Sequence, residues 1–173
     1  MQRILVIGSS GAGKSLFSQR LGEATGLPVI HLDRHFWSSG WVEPDRTEWR
    51  NKVVELLTGD RWIVDGNYSN TLELRLEKCD TVVFLDFSRV LCTWRVLKRA
   101  WQYRGRSRPD IAEGCHEKID LSFLNWTWNY PTRSRPGVLR KLSTVSERVR
   151  IITLRTDREV EMFLNSLQNK NGN

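Results

Sequence analysis

The stretch Ile4-Leu5-Val6-Ile7-Gly8-Ser9-Ser10-Gly11-Ala12-Gly13-Lys14-Ser15 decides the fold of this chain. Its second half fits the phosphate-loop pattern GxxxxGK[ST], with Gly8, Gly13, Lys14 and Ser15 at the fixed positions. A short apolar run precedes the pattern, and apolar residues at helical spacing follow it. The strand, loop and helix that the motif requires therefore occur in order, which predicts a site for a nucleoside triphosphate.

Each part of this loop has a predicted role in holding ATP. The glycines let the backbone curl, so that successive N–H groups point inward at the positive end of a helix. Lys14 is expected to reach the β- and γ-phosphates and to act in catalysis, and the Ser15 hydroxyl is a candidate ligand for Mg²⁺. The residues that we expect to contact the nucleotide are Gly8, Gly11, Ala12, Gly13, Lys14, Ser15 and Leu16.

Length and composition limit the class of protein. The 173 residues predict one domain that spans residues 1–173. The three cysteines are odd in number and lack CxxC spacing, which argues against a disulfide framework or a zinc site. No apolar stretch approaches the ~18 residues of a membrane span, and the N-terminal apolar run is too short for a signal peptide. These features favour a protein of the reducing cytoplasm, without membrane contact.

Short apolar runs alternate with helical patterns along the rest of the chain. The predicted strands are residues 4–7, 28–33, 62–64, 81–86 and 149–154. Apolar strands that alternate with helices predict an α/β fold, with a five-stranded, parallel, doubly wound sheet covered on both faces. Ligands of such sheets bind at the carboxyl ends of the strands.

The predicted helices follow from capping residues and apolar spacing. One begins near Asp45, which Glu48 can reinforce as a cap, and ends at Gly59. A short polar helix is expected over residues 71–76, another over 138–142, and a closing helix after the Thr156 and Glu159 capping pair. The pattern over 119–130 predicts a helix that a proline stops at position 131.

We expect the tryptophans and the apolar face of the helix after residue 89 to pack in the core. Most of the eight tryptophans lie at helical spacing with other apolar residues, which favours a place in the core. Arg95 and Arg99, four residues apart, lie together on another face of this helix. The apolar stripe predicted for this helix is Val90, Leu91, Trp94, Leu97 and Trp101.

Aspartates follow three of the predicted strands. Asp65 is expected to hold Mg²⁺ through a bound water, with capping of the next turn as its alternative role, and Asp86 has the same two alternatives. Asp33 can orient an acceptor hydroxyl and accept its proton, which makes it both a substrate-binding and a catalytic candidate. The neighbouring Arg34 can instead bind an anionic acceptor group, or the two can form a surface ion pair.

The formal charge of +7 is concentrated in one segment. Seven basic and no acidic residues lie between Phe87 and Pro109, which fits a solvated face, a phosphate clamp or a nucleic-acid patch. Because the predicted phosphate loop already implies a polyanionic ligand, the phosphate clamp is the favoured interpretation of the three. Arg95, Arg99 and one further arginine, for which we take Arg133, are expected to close over the transferring phosphate. The other candidates are Arg104, Arg106, Arg108 and Arg135.

Several motifs resemble those of the adenylate-kinase-like group of P-loop kinases. Val64-Asp65-Gly66 is similar to the turn that ends their third strand, and Leu85-Asp86-Phe87-Ser88 with the two arginines is similar to their fourth strand and lid entrance. The resemblance implies a P-loop kinase fold with a lid over about 103–136. It also implies ATP and Mg²⁺ as cofactors, with Arg95 near the adenine and Arg99 near the phosphates.

A closer resemblance is to bacterial proteins labelled DNA topology modulation protein. The similar segments are His31-Leu32-Asp33, Gly40-Trp41, Asp65-Gly66-Asn67-Tyr68, Tyr103-Arg104-Gly105-Arg106 and Arg133-Ser134-Arg135-Pro136. That label describes a cellular effect, and the sequence contains no DNA-binding motif that would explain it. Contact with nucleic acid therefore stays an alternative that rests on the basic surface.

One departure from the adenylate-kinase pattern concerns the acceptor. Ser69 stands where those enzymes have an arginine that grips a nucleoside monophosphate, and the nearest arginine is Arg75. We therefore expect a kinase that prefers a hydroxyl acceptor over a nucleoside monophosphate, and the alternative is a nucleotide-dependent regulator of DNA topology. The sequence leaves the oligomeric state open. The residues assigned to the acceptor are Asp33, Arg34, Asp65, Gly66, Asn67 and Arg75.

Overall fold

A computed structural model describes residues 1–105, 111–116 and 119–171, the last three by their backbone alone. Within these ranges five strands form one parallel sheet in the order β2-β3-β1-β4-β5. This arrangement confirms the α/β, doubly wound prediction. The strands are β1 Arg3–Gly8, β2 Val29–His31, β3 Trp62–Asp65, β4 Thr81–Leu85 and β5 Arg150–Leu154.

Helices connect the strands and cover both faces of the sheet. The predicted caps of two helices are present, because the Asp45 carboxylate accepts from the amides of Thr47 and Glu48, and the Glu159 amide donates to the Thr156 hydroxyl. A 3₁₀ turn, Ser69–Thr71, precedes the fourth helix. The helices are α1 Lys14–Thr25, α2 Leu32–Phe36, α3 Arg46–Leu56, α4 Leu72–Lys78, α5 Arg89–Gln102, α6 Leu121–Arg133, α7 Arg135–Ser143 and α8 Asp157–Asn171.

Alternate residues of each strand belong to two different hydrophobic cores, because successive side chains point to opposite faces of a sheet. On one face Leu5 and Phe84 belong to a core with residues of α3, α4 and α7. On the other face Ile4 and Val83 belong to a core with residues of α1 and α8. All four strand residues are fully buried, as the continuous apolar runs predict for a parallel sheet.

The strand register brings the functional edge together. Val6 of β1 is paired with Asp65 of β3, which is paired in turn with His31 of β2. Gly8, the first residue of the phosphate-loop motif, is paired with Leu85 at the end of β4. The loops that follow these strands therefore start at one edge of the sheet, which is the edge where ligands of such sheets bind.

The second strand is shorter than predicted. It ends at His31, and Leu32 begins the five-residue helix α2 instead of continuing the strand to position 33. Leu32 is fully buried under Gly66, where a Cβ would lie 2.9 Å from the Leu32 Cβ. Asp33 consequently lies in the first turn of a helix.

The predicted apolar stripe of α5 is wrong. Four of its five residues are exposed, including Trp94 at 55% and Trp101 at 75%, while Cys92, Val96 and Ala100 form the buried face. The physical reason is close packing, because small side chains let α5 lie directly against neighbouring backbone. The prediction that most tryptophans lie in the core is also wrong, because two of the eight are buried, Trp49 and Trp62. Four are exposed, namely Trp94, Trp101, Trp126 and Trp128.

Pro131 does not stop the sixth helix. It lies in the last turn of α6, where the Ser134 amide still donates to the Tyr130 carbonyl at 3.0 Å. A proline there removes one backbone donor, and α7 begins almost at once at Arg135. The two helices therefore follow each other directly, and α7 is longer than the predicted 138–142.

The helix predicted as polar over 71–76 is largely buried. Leu72, Leu74 and Leu76 pack into a core, and Arg75 is fully buried beside them. The Arg75 guanidinium donates to the carbonyl oxygens of Gly66 at 2.8 Å and Tyr68 at 2.6 Å, and its Nε donates to Thr71 at 3.3 Å. Burial lowers the pKa of Arg75 to about 10. This arginine organises the turn after β3 and is not exposed to a ligand.

No helix within the described ranges is long and apolar enough to cross a membrane.

The replacement Arg75→Met tests the structural role of this buried guanidinium. Because the change leaves buried carbonyl oxygens without donors, we expect the free energy of unfolding to fall by roughly 3 kcal/mol or more. The control is Arg133→Met at an exposed position, where the expected change is within about 0.5 kcal/mol. Urea denaturation followed by circular dichroism measures both, and equal effects of the two changes would contradict this role.

Candidate active site

The phosphate loop packs closely against the backbone of two neighbouring elements, the end of β4 and the helix α5. A Cβ on Gly8 would lie 2.5 Å from the Leu85 carbonyl oxygen, and one on Gly11 would lie 2.2 Å from the Cys92 carbonyl oxygen. Gly11 also has a φ of 76°, a conformation that side chains disfavour. Only glycine fits these two positions, so the loop path depends on them.

The loop ends at a helix terminus that is open to an anion. Gly13, with a φ of 85°, precedes the first residue of α1 and provides no side-chain cap. The first amides of α1 therefore point toward the position that a phosphate occupies in such loops, where the helix dipole favours negative charge. Ser15 and Leu16 line the cavity in front of this helix end, whereas Ala12 is buried under the loop. The geometry fits a triphosphate.

Lys14 folds over its own loop. Its ammonium donates to the carbonyl oxygens of Gly8 at 3.1 Å and Ser9 at 3.0 Å. Burial lowers the pKa of Lys14, the charges of Asp33 and Asp65 oppose that shift, and the charge of Arg99 adds to it. The lysine, the two carboxylates and Arg99 all line the same cavity.

The shared space is a large cavity at the carboxyl edge of the sheet. Its volume is about 1050 Å³, at the upper end of the roughly 300–1,000 Å³ of small-molecule sites. Such a volume suits two ligands side by side. The predicted site residues that line it are Gly11, Gly13, Lys14, Ser15, Leu16, Asp33, Asp65, Asn67, Arg95 and Arg99.

Asp33 is fixed by a tyrosine that the sequence analysis did not assign to the site. The Tyr68 hydroxyl donates to Asp33 Oδ1 at 2.6 Å. Burial raises the pKa of Tyr68, and the adjacent Asp33 charge raises it further. The phenol therefore stays protonated and remains a donor, which holds the Asp33 carboxylate in one orientation at the cavity wall.

Asp65 is also oriented by a hydrogen bond, in this case from a buried histidine. It is 3% exposed, and the His31 Nδ1–H donates to its Oδ2 at 2.7 Å. The proton belongs on Nδ1, because an ionised carboxylate can only accept. A carboxylate oriented by a histidine at a strand end is a suitable group for a metal-bound water. Asp86, in contrast, accepts two hydrogen bonds of 2.7 Å from Arg135. This ion pair differs from the predicted cap, because Ser88 caps the following helix.

Arg95 and Arg99 project from α5 over the phosphate loop. The Arg95 guanidinium stacks on Phe87 at 5.1 Å and donates to both carboxylate oxygens of Asp157 at 2.7 Å. One of its nitrogens lies 3.9 Å from where a Cβ on Gly13 would be. The close approach of α5 to the loop thus positions the arginine pair that the sequence predicted on one helix face.

Other predicted site residues lie away from the cavity. Arg34 and Arg133 are exposed and are not among the residues that line it. Gly66 packs on Leu32, and the burial of Arg75 corrects its prediction as a substrate-binding residue, because its donors are directed to backbone carbonyls. The predicted lid falls partly on residues 106–110 and 117–118, so its candidates Arg106 and Arg108 lie outside the described ranges.

The sequence analysis missed an aromatic wall in the half of the cavity away from the phosphate loop. The signal that could have found it is the density of aromatic residues between positions 36 and 49. Their ring centroids lie 4.4 to 5.3 Å from their nearest aromatic neighbours. The members of this wall are Phe36, Trp37, Trp41, Trp49 and Tyr68.

Several solved structures that resemble this chain are kinases. Shikimate kinase from Bacteroides thetaiotaomicron is 15% identical over 99% of both chains, with a TM-score of 0.55. A gluconokinase from Sinorhizobium meliloti 1021 is 20% identical over 99% of this chain and 95% of that one, with a TM-score of 0.53. Deoxyadenosine kinase from M. mycoides with bound dATP is 13% identical over 98% of this chain and 99% of that one, with a TM-score of 0.54.

At these identities the likeness shows the fold, and the chain has the fold of the P-loop kinases. No protein-family model matches the chain, and no curated protein matches it. The structural likeness gives no support to the DNA-topology label that the sequence resemblance carried.

The replacement Lys14→Ala tests the position of the nucleotide site. It removes the positive charge that faces the phosphates, so we expect Mg·ATP affinity to fall strongly and turnover to be lost while the fold persists. The matched control is Lys98→Ala, because Lys98 stacks on the exposed Trp94 ring instead. Calorimetric titration with Mg·ATP measures affinity, and unchanged affinity in a folded Lys14→Ala variant would place the nucleotide elsewhere.

Proposed function

We propose that this chain is an ATP- and Mg²⁺-dependent phosphotransferase that acts on the hydroxyl group of a small molecule. The observation that carries the proposal is the placement of Lys14 and Asp33 on one cavity, with Tyr68 holding the carboxylate. An acceptor hydroxyl must lose a proton during transfer, and a carboxylate across the cavity from the phosphate loop can accept that proton.

The nucleotide half of the cavity supplies charge and orientation. The amides of the loop and the α1 terminus bind phosphate oxygens, and Lys14 exchanges its two carbonyl partners for the β- and γ-phosphates. Arg95 and Arg99 add positive charge beside the loop, Arg95 next to the adenine and Arg99 next to the γ-phosphate. Phosphoryl transfer depends mainly on such positioning and charge stabilisation.

Magnesium fits the residues at the strand ends. The Ser15 hydroxyl and the Asp65 carboxylate would hold it, the latter oriented by His31. When bound with ATP, the ion neutralises charge on the phosphate oxygens and keeps the γ-phosphoryl group in line with its acceptor. The donor set is oxygen only, as Mg²⁺ prefers.

The acceptor half provides a base, and Arg46 is the one basic side chain that lines it within the described ranges. Asp33 accepts the hydroxyl proton, and the hydrogen bond from Tyr68 holds the carboxylate in one orientation. Ser69 lines this half where a monophosphate-gripping arginine would be expected, and Arg75 is directed to the backbone. These features favour a hydroxyl acceptor over a phosphate acceptor, which would need no base.

The replacement Asp33→Asn separates these two acceptor classes. It keeps the shape of the side chain and removes the charge, so kcat should fall by about 10² to 10⁴-fold with Mg·ATP affinity nearly unchanged. The control is Asp60→Asn, at an exposed position away from the cavity, which should leave kcat unchanged. The measurement is acceptor-dependent ADP formation with a pool of hydroxyl compounds.

Two results would contradict the proposal. Robust nucleoside monophosphate kinase activity that persists in Asp33→Asn would exclude the role of this carboxylate as a base. Slow ATP hydrolysis that no small molecule accelerates would instead favour a nucleotide-dependent regulator, the alternative that the basic segment suggested. Binding of that regulator to DNA would weaken steeply with salt.

A further inference from the structure

The acceptor half of the cavity is built on aromatic rings. Phe36 lies at the centre, with ring centroids 4.9 Å from Trp37, 5.0 Å from Trp49 and 4.4 Å from Tyr68. Trp49 is 1% exposed and anchors the group in the core, whereas Trp37 and Trp41 are half-buried at the cavity wall. An aromatic cluster that serves packing alone would be buried throughout, but this one presents ring surface to the cavity.

The exposed part of this wall is fixed by a second segment of chain. The Trp41 Nε1–H donates to the His116 carbonyl at 3.0 Å, and the Gly40 amide donates to the Gly114 carbonyl at 3.2 Å. The Cys115 thiol donates to the Ser38 carbonyl at 3.2 Å. These contacts hold the turn that carries both tryptophans in place, so less ordering is needed when a ligand stacks on them.

The charges of this half disfavour an anionic acceptor. Within the described ranges, the charged side chains that line the cavity outside the phosphate loop, α5 and the strand ends are Asp33, Glu43, Asp120 and Arg46. Three of these four are acidic, while the basic groups Lys14, Arg95 and Arg99 lie at the phosphate loop. An acceptor with its own carboxylate or phosphate would meet like charges here, which costs affinity.

Polar side chains of the same half can recognise the edge of a ring. Asn67 and Asn70 line the cavity beside Tyr68. A carboxamide both donates and accepts hydrogen bonds, which matches the mixed donor and acceptor edges of nucleobases. Aromatic side chains stack on any base, because every base has a π-face.

We propose that the phosphate acceptor is a nucleoside, a flat heteroaromatic base joined to an uncharged sugar that carries the reacting hydroxyl. This inference rests on the proposed function. The sugar hydroxyl oxygen forms a bond to the γ-phosphorus of ATP while the bond from that phosphorus to the β–γ bridging oxygen breaks. The hydroxyl proton passes to the Asp33 carboxylate, and the products are a nucleoside monophosphate, ADP and a proton released to solvent.

The first arm of the test measures binding to the aromatic wall. The probes are the four common ribonucleosides and the four deoxyribonucleosides, titrated by calorimetry into the full chain. Trp37→Leu should weaken the binding of the preferred nucleoside by about 10- to 100-fold, because it keeps apolar bulk and removes the stacking face. Trp37→Phe should restore part of that affinity, and Mg·ATP affinity should be the same in both variants.

The matched control is Trp101→Leu, a tryptophan that is 75% exposed on α5 and does not line the cavity. This replacement should leave nucleoside binding unchanged. Equal losses in Trp37→Leu and Trp101→Leu would overturn the stacking role, and so would the absence of binding for all eight nucleosides.

The second arm compares acceptors of different charge in phosphoryl transfer. Each nucleoside is paired with its 5′-monophosphate, and shikimate and gluconate serve as anionic hydroxyl compounds. Faster transfer to a nucleoside than to any anionic compound supports the inference. Preferential transfer to an anionic compound overturns it while the proposed kinase function stands. A nucleoside that binds through Trp37 without being phosphorylated supports the ligand class and contradicts the kinase function.

Discussion

The site depends on one close approach, that of the phosphate loop to the backbone of α5. The absence of a side chain at Gly11 lets the loop lie against the Cys92 carbonyl, where a Cβ would come within 2.2 Å. The small buried face of α5 continues this contact through Val96 and Ala100. Because the helix is fixed at this distance and rotation, its two cavity-facing arginines extend over the loop and its large aromatic residues face outward.

The register of the strands is the second constraint on the site. Pairing of Val6 with Asp65 and of Asp65 with His31 brings three strand ends into one row. The chain then turns into helix at Leu32, which places Asp33 where Tyr68 can bind it. The cavity consequently has two chemically different halves: a basic one with open amides, and an aromatic one with an acidic excess. This division fits the proposed transfer between a polyanionic donor and an uncharged acceptor.

The fold could be predicted from the sequence because its signals are local. The GxxxxGK[ST] pattern and the apolar runs indicated how strands and helices alternate along the chain. The caps at Asp45 and Thr156 marked the starts of two helices. The sequence placed the phosphate-loop residues and Asp33 at the cavity edge of the sheet, because residues that follow parallel strands lie at that edge.

The errors arose where tertiary contacts outweigh local patterns. Spacing alone cannot tell which face of α5 is buried, and the small residues Cys92 and Ala100 decided it through close packing. Arg75 resembles a ligand-binding residue in the sequence, but the carbonyls that it binds become its partners only after the turn folds. The aromatic wall combines residues of α2, α3 and the loops after β3 and α2, so no single stretch contains its pattern.

The central claim is that the γ-phosphoryl group of ATP passes to a hydroxyl group in this cavity, and isotope tracing tests it directly. The chain is incubated with Mg·ATP whose three terminal γ-oxygens are ¹⁸O, together with a mixture of small metabolites, and the products are analysed by mass spectrometry. The account predicts a new phosphorylated compound that carries three ¹⁸O atoms and depends on the enzyme. Label found only in inorganic phosphate, whatever metabolites are present, would contradict it.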